Sequence, residues 1–514
     1  METLNNHQKI FVSEMAMNYK LGKFGMYLLE AAAGSGKTYS CNSLINELGL
    51  EILNWEQTSD GAKVLAPTHK AKKVLENNGI RGAQTVHQFL GGSMRYHPVT
   101  GESIFIFSPK TYTNCLIIVD ECSMITDELF ELLKVYSDDN IVLFCGDPLQ
   151  LPPINKKSVI NEDGDEPDIL NRELSKTFGI INKFVLVENM RSDTLSLKML
   201  SNARAAIASE RMPDSINTCC ITELMKLYDS GVDPIDICTL AFTNARTKFY
   251  NDLIRQKLFN VSRIEDLEEF YKGETLVFSG YRSVNKIVYH TSDIIVVKHL
   301  ELETIKLSRK KCQCMLENEL LKTCIKCGIG RHNINSFDIT FNKCVDGNEI
   351  IWYKPYTASD AVNLLKLKKH YKNHCKKMKD SKIWKDYYDF LNTYDANLKY
   401  TYASTIHKSQ GSEYKYVFVD RQNVLDTCRT NIFLKTRAYY TGLSRMRTAV
   451  YDIVCNIDVV DSNTLVGDFF KFGKHQGKSY DYVIKNDMGY TKWLLSMKGA
   501  LFVHFQNYHK CVCH

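Results

Sequence analysis

A chain of 514 residues that is 44% hydrophobic and 24% charged is long and apolar enough to bury several cores, which excludes a mainly disordered protein and predicts more than one domain. The start METLNNHQKIF has no charged leader before an apolar core, and no apolar run is long enough for a bilayer, so no membrane role is expected. A net charge of +6 excludes a strongly basic chain, and 17 scattered cysteines predict free thiols in a reducing compartment, cytoplasm or nucleus, with any tight cluster suited to metal rather than disulfides.

In chain order, LNNHQK precedes the first helix and offers Gln8 as an amide able to pair with an adenine edge. LLEAAAGSGKTYS follows at residues 28–40. Its second half is a phosphate-binding loop: backbone N–H groups of the Gly34-Ser35-Gly36-Lys37 turn feed a helix N-terminus, and Lys37 and Thr38 add an ammonium and a hydroxyl. Such loops normally open on glycine where Ala31 stands. That position is the strand exit, where a methyl is often tolerated, so a working loop is expected.

KVLAPT, CLIIVDE, NIVLFCGD, DICTLAFTN, YVFVD and AVYDIVC are short runs apolar on both faces, as parallel strands covered by helices are. With the helical-period stretches between them they predict an α/β chain of two similar domains. The first spans 1–185 with a hairpin at about 91–112. The second spans 186–262 and 398–460, interrupted by an insertion over 263–397, and a small module occupies 461–514.

LIIVDECSM ends a strand in two acids, a common arrangement that gains meaning beside Lys37. Asp120 would hold Mg²⁺ with Thr38, and Glu121 would polarise the attacking water in hydrolysis of a nucleoside triphosphate. GDPLQLPPI places Gln150 after the next strand, either as a sensor of hydrolysis or as an ordinary turn residue. Arg191 in VENMRSD and Arg445 in YYTGLSRMR are each readable as surface arginines or as cations meeting charge on a transferred phosphoryl group.

Residues 301–400 hold 19 lysines and arginines against 12 acids, the whole charge excess of the chain. LLKLKKHYKNHCKKMKD within them tracks a phosphate backbone or is a solvated helix. KKCQCMLENELLKTCIKCGIGRH sets Cys312-x-Cys314 nine residues before Cys324-x-x-Cys327. Four paired thiolates in basic surroundings suit tetrahedral Zn²⁺, and four free thiols are the alternative. The tail has no convincing pair of metal-binding acids and reads as a binding or packing appendage.

The motifs LNNHQ, AAAGSGKT, LAPTHKAKKVL, QTVHQFL, VDECSM, GDPLQLPPI, ENMRSD, LAFTNAR, YASTIHKSQGSEY and YYTGLSRMR resemble, in order and over roughly residues 4–455, those of superfamily 1 helicases. The likeness is to the phage Dda and RecD-like branch, which translocates 5′ to 3′. It implies two RecA-like domains, ATP and Mg²⁺ as cofactors, and duplex unwinding driven by movement along single-stranded DNA. It gives Lys37, Thr38, Asp120, Glu121, Gln150, Arg191 and Arg445 the hydrolytic roles above, the cradle to Gly34, Ser35 and Gly36, adenine to Gln8 and ribose to Glu413.

Contacts to the strand would fall on Thr68, His69, Thr85, His87, Thr243, Asn244, Thr405, His407 and Lys408, groups suited to phosphate and sugar, and for each histidine a core role competes. The branch inserts a β-hairpin where GGSMRYHPVTGESIFIFSPK stands. SMRYH and SIFIF are strand-like around a PVTG turn. Tyr96, Phe105 and Phe107 are then candidates to stack on opened bases, unless that face packs on the domain and only the tip meets DNA. Implied partners are single-stranded and forked DNA and proteins of replication or repair, in the host cytoplasm if the chain is viral. Two rivals stay open: an RNA helicase, since backbone contacts do not read a 2′-OH, and an ATPase subunit that switches a larger complex without unwinding.

Overall fold

The computed structural model describes residues 4–54, 56–153, 174–188, 194–280, 282–284, 287–308, 336–395, 398–428 and 431–454. Arg191, Cys312, Cys314, Cys324, Cys327 and the 461–514 tail lie outside the described residues.

The chain opens with α1 (Asn6–Lys20), β1 (Gly25–Ala31), α2 (Lys37–Leu48), β2 (Ala62–Ala66), α3 (His69–Asn77), β3 (Gln84–Thr85) and α4 (Val86–Phe89). The hairpin strands β4 (Ser93–Tyr96) and β5 (Ser103–Ile106) come next, then β6 (Leu116–Val119), α5 (Asp127–Lys134), β7 (Ile141–Gly146) and β8 (Lys183–Leu186). Six strands form a parallel sheet in the order β3-β2-β6-β7-β1-β8. The apolar runs explain the burial on both faces, because alternate residues feed opposite cores. Leu29, Ile118 and Leu143 meet Phe11, Met15, Leu44 and Leu75 on one side. Leu28, Ile117 and Phe144 meet Phe89, Leu129 and Leu133 on the other. Each such side chain contributes about 1.5–3 kcal/mol.

The second domain starts with α6 (Thr194–Ala208), β9 (Thr218–Cys220), α7 (Ile221–Asp229), β10 (Ile237–Ala241) and α8 (Asn244–Leu258). The insertion then holds β11 (Thr275–Phe278), β12 (Arg282–Val284), β13 (Ile287–Tyr289), β14 (Ile294–Val296), β15 (His299–Ser308), β16 (Ser336–Val345), β17 (Ile351–Pro355), α9 (Ala358–Met378), α10 (Ser381–Tyr394) and β18 (Leu398–Tyr400). The domain resumes with β19 (Ala403–Thr405), α11 (Ile406–Ser409), β20 (Tyr414–Val419), α12 (Arg421–Thr427), α13 (Ile432–Leu443) and β21 (Met446–Val454). Its parallel sheet runs β19-β10-β20-β21-β9. The α/β pattern read from the sequence is thus the fold of both domains.

The insertion is antiparallel, with sheets β14-β11-β18 and β15-β16-β17. Because β18 pairs with β11, its last strand ends at Tyr400, past the expected limit of 397. Helices α9 and α10 pack Leu364, Leu367, Tyr371, Phe390 and Tyr394 on Ile339 and Phe341 of the second sheet. Among the described residues no helix is long and apolar enough to cross a membrane.

Candidate active site

The methyl of Ala31 is buried in the first domain's core. Left-handed φ values fall at Gly34 (81°) and Gly36 (77°), so the loop keeps glycine where its backbone demands it and replaces it where only packing is at stake. A β-carbon on Gly36 would stand 2.4 Å from Nε2 of Gln8. No side chain caps α2, so its first-turn N–H groups are left for an anion.

Nζ of Lys37 lies 2.7 Å from Oδ1 of Asp120 and 3.7 Å from Oε1 of Glu121. Burial works against the Lys37 ammonium, but the two carboxylates outweigh it and hold its pKa above that of an ordinary lysine. Burial raises the Asp120 carboxyl, and Lys37 opposes the rise. Glu121 has φ 49° and ψ 44°, a left-handed conformation costly for a non-glycine residue. Its N–H donates to Asp120 at 2.9 Å. The amide oxygen of Gln150 is buried with no hydrogen-bond partner among the described residues, an acceptor that costs free energy unless a donor reaches it. An uncapped helix, an ammonium between two acids, a first-turn hydroxyl and this amide form a donor set that fits a nucleoside triphosphate with Mg²⁺.

The loop after β7 is gripped by the second domain. Oδ2 of Asp147 accepts from the Ala33 N–H at 3.2 Å, Arg204 at 3.0 Å and the Tyr440 hydroxyl. The Leu151 N–H donates to Oγ1 of Thr441 at 3.0 Å, and Nε2 of Gln410 donates to the Leu151 carbonyl at 3.2 Å. Arg437 donates to the Gln150 carbonyl at 3.3 Å. The backbone carrying Gln150 is therefore fixed by α6 and α13 rather than by its own domain alone.

Several expected residues are placed differently from their sequence reading. Oε1 of Gln8 accepts from the Asn5 N–H at 3.0 Å and its Nε2 donates to the Ser35 carbonyl at 3.1 Å. The amide is a strut beneath the loop, so it is not held out for an adenine edge. Ser35 spends its hydroxyl on the Ala32 carbonyl at 2.8 Å. Arg445 is buried, and its guanidinium donates to the Thr441 carbonyl at 3.1 Å and Oγ of Ser444 at 2.8 Å, on its own turn. These bonds use two of its three guanidinium nitrogens. Glu413 is half-buried just before β20.

Thr68, Thr85, Thr243 and Thr405 are N-caps of α3, α4, α8 and α11, a role common to all four that follows from a hydroxyl at a strand-to-helix turn. Thr85, Thr405 and His407 are buried, His407 edge-on to Phe242 at 5.2 Å between centroids. The Thr85 and Thr405 hydroxyls accept N–H groups at the caps, and the His407 ring packs in the core. Lys408 is exposed and reaches Oδ1 of Asn244 at 3.5 Å. His69 stacks on His290 of the insertion at 3.6 Å and 12°.

The hairpin pairs Ser93 with Ile106 through Tyr96 with Ser103. His87 lies under Phe105 at 4.6 Å and near Phe107 at 5.8 Å. Phe107 packs on the domain core, whereas Phe105, Met94, Ile104 and Ile106 stay exposed. The tip is the covered part. Nε1 of Trp384 donates to the Pro98 carbonyl and the Tyr388 hydroxyl to the Gly101 carbonyl, each at 3.0 Å. Tyr96 stacks on Tyr388 at 4.5 Å. Gly101 (φ 75°) admits no β-carbon, which would lie 2.3 Å from the Trp384 ring. Of the two readings left open, the one in which only the tip meets DNA is disfavoured, because α10 of the insertion covers the tip and Tyr96 packs with it.

Asp147, Arg204, Tyr440, Arg437, Trp384 and Tyr388 were not singled out by sequence reasoning. The aspartate inside GDPLQ and the tyrosine of YYTGLSRMR were visible signals. Among the described residues no group of three or more His, Cys, Asp or Glu is placed to hold a metal.

Residues 14–156 match the AAA domain family and residues 400–451 the UvrD-like helicase C-terminal domain family. An uncharacterized protein of Acanthamoeba polyphaga mimivirus is 23% identical over 86% of this chain and 98% of its own length. The ATP-dependent DNA helicase Dda of Enterobacteria phage T4 is 24% identical over 82% of this chain and 93% of its own. A Pif1 helicase from Bacteroides, solved with ADP-AlF3 and ssDNA, aligns over 96% of this chain and 98% of its own at 15% identity and a TM-score of 0.42.

Proposed function

We propose that this chain is a superfamily 1 helicase of the Dda and RecD-like branch, an ATP-dependent DNA helicase that moves 5′ to 3′ along a single strand and opens the duplex at a fork; its similarity to the UvrD-like helicase C-terminal domain and to Dda supports the reading. The observation that carries the reading is the Lys37 ammonium set between Asp120 and Glu121 at the mouth of an uncapped helix.

Lys37 and the α2 N–H groups bind the phosphates, Thr38 and Asp120 would hold Mg²⁺, and Glu121 takes a proton from the attacking water. Bound Mg²⁺ supplies charge against the phosphate oxygens. Gln150 offers its buried amide to the reacting end, and Asp147 carries any shift of that loop to α6 and α13. Arg445 supplies positive charge from the second domain. Motion between the domains then steps the strand past the exposed hairpin arms, whose tip α10 holds still.

Free cysteines throughout the described residues support a reducing compartment, cytoplasm or nucleus. Zinc at Cys312, Cys314, Cys324 and Cys327 is part of the proposal on their spacing alone. ATP turnover with oligodeoxythymidylate, oligouridylate or no nucleic acid tests the reading: stimulation by DNA is expected, and stimulation by RNA alone or by neither would overturn it.

A further inference from the structure

On the proposed function the hairpin is where strands part, and the insertion carries a charged face beside it. From Ala361 to Lys379 the chain contains seven lysines and no aspartate or glutamate. Lys368 pairs with Asp395. Lys366, Lys369, Lys372, Lys376, Lys377 and Lys379 are exposed and make none of the ion pairs found among the described residues. At ~100° per residue the five of these within α9 span roughly 140° of arc, opposite the buried stripe of Leu364, Leu367, Tyr371 and Cys375.

Helix-dipole stabilisation explains cations in the last turn only, and Lys366, Lys369 and Lys372 lie before it. Lys366 sits over the Phe337 ring at 5.7 Å and donates to Oδ1 of Asn363 at 3.3 Å, but no such contact accounts for Lys369 or Lys372 among the described residues. Like charges at this density repel one another unless a polyanion lies alongside.

Position selects the polyanion. Cys375 of α9 packs with Ile383 and Trp384 of α10 in the cluster that Tyr96 of the hairpin joins. Lys376, Lys377 and Lys379 follow Cys375 directly, so this end of the basic face adjoins the held hairpin tip.

We propose that the lysine face of α9 docks the phosphate backbone of the unopened duplex ahead of the hairpin. Lysines as point charges without base-reading partners suit contact independent of sequence. The inference rests on the helicase reading, and the test separates the two. Lys369→Gln, Lys372→Gln, Lys376→Gln and Lys377→Gln are combined in the full chain, and binding is measured across a salt titration. The probes are a duplex with a 5′ single-stranded tail and oligodeoxythymidylate of the tail's length.

The wild-type chain binds the tailed duplex with a steeper salt dependence than the single strand. In the variant that slope falls by up to ~0.9 per lost phosphate contact, and affinity for the tailed duplex drops about tenfold or more. Single-strand affinity, DNA-stimulated ATPase and melting temperature are unchanged. Equal binding of the tailed duplex by variant and wild type would overturn the inference, as would an equal loss for both probes, which would assign the lysines to the single strand. A wild-type chain without DNA-stimulated ATPase would instead overturn the helicase reading.

Discussion

The Tyr440 hydroxyl donates to Asp147 across 293 residues of sequence, joining the two parallel-sheet domains beside the phosphate-binding loop. The same carboxylate holds the Ala33 N–H and Arg204, so a change at the loop reaches α13 through one buried group. Tyr440→Phe removes two bonds to charged groups, the one it donates to Asp147 and the one its oxygen accepts from Arg204 at 2.7 Å, each about 1.5–3 kcal/mol. DNA-stimulated kcat is expected to fall about tenfold, the effect of ~1.4 kcal/mol, with KM for ATP and unstimulated turnover little changed. Steady-state kinetics with and without oligodeoxythymidylate check this. Equal loss of stimulated and unstimulated rates would make these bonds merely structural.

Trp384 is fully buried and donates to the Pro98 carbonyl. Trp384→Ala leaves a cavity worth about 3–5 kcal/mol of local packing and loosens the hairpin tip, which keeps its Tyr388 contacts. Fork unwinding should fall at least about tenfold while single-strand-stimulated ATPase stays within about twofold. Parallel strand-displacement and ATPase assays read the split, and Gly101→Ala, which forces a β-carbon against the same ring, should reproduce it.

Phe105 is 40% exposed and rests on His87. Phe105→Ala should weaken stacking on an opened base by ~1–3 kcal/mol, lowering unwinding but not the melting temperature. Unchanged unwinding by this variant in the same assay would place the separating surface on other hairpin residues.

Burial depresses His69 from the ordinary 6.5 to about 4, and the neighbouring His290 ring adds to the depression. His290 is lowered too, chiefly by burial, with Asp293 opposing and Lys72 assisting. Between about 6.5 and 4 the unfolded chain binds protons that the folded pair refuses, so stability is present above that window and is lost as pH falls through it. Melting temperature should drop over this range, and His69→Phe, which keeps a flat ring against His290, should flatten the drop. Parallel curves for variant and wild type would assign the loss to other groups.

The sheets, the loop at Lys37 and the acid pair were legible because each is local: an apolar run, a glycine turn, a strand ending in two carboxylates. Ala31 was legible in part, since a strand exit tolerates a methyl, and the structure supplies the reason in the core it joins. What sequence did not show depends on long closures. Gln150 stood out in GDPLQ while Asp147 did not, because its partners Arg204 and Tyr440 lie in another domain. The hairpin strands and turn were readable, but nothing in PVTG announces that Trp384, 286 residues away, covers it. The threonines were read as strand contacts, whereas their hydroxyls cap helices, a competing use that short-range pattern does not separate.

The central claim is that hydrolysis at Lys37 and Glu121 drives strand separation. Its most direct measurement is release of a labelled strand from duplexes carrying a 5′ or a 3′ single-stranded tail, with ATP, by the wild-type chain and by Glu121→Gln. Release should require ATP and the 5′ tail and vanish in Glu121→Gln, which still binds ATP. Release without ATP, or at the same rate in Glu121→Gln, would contradict the claim.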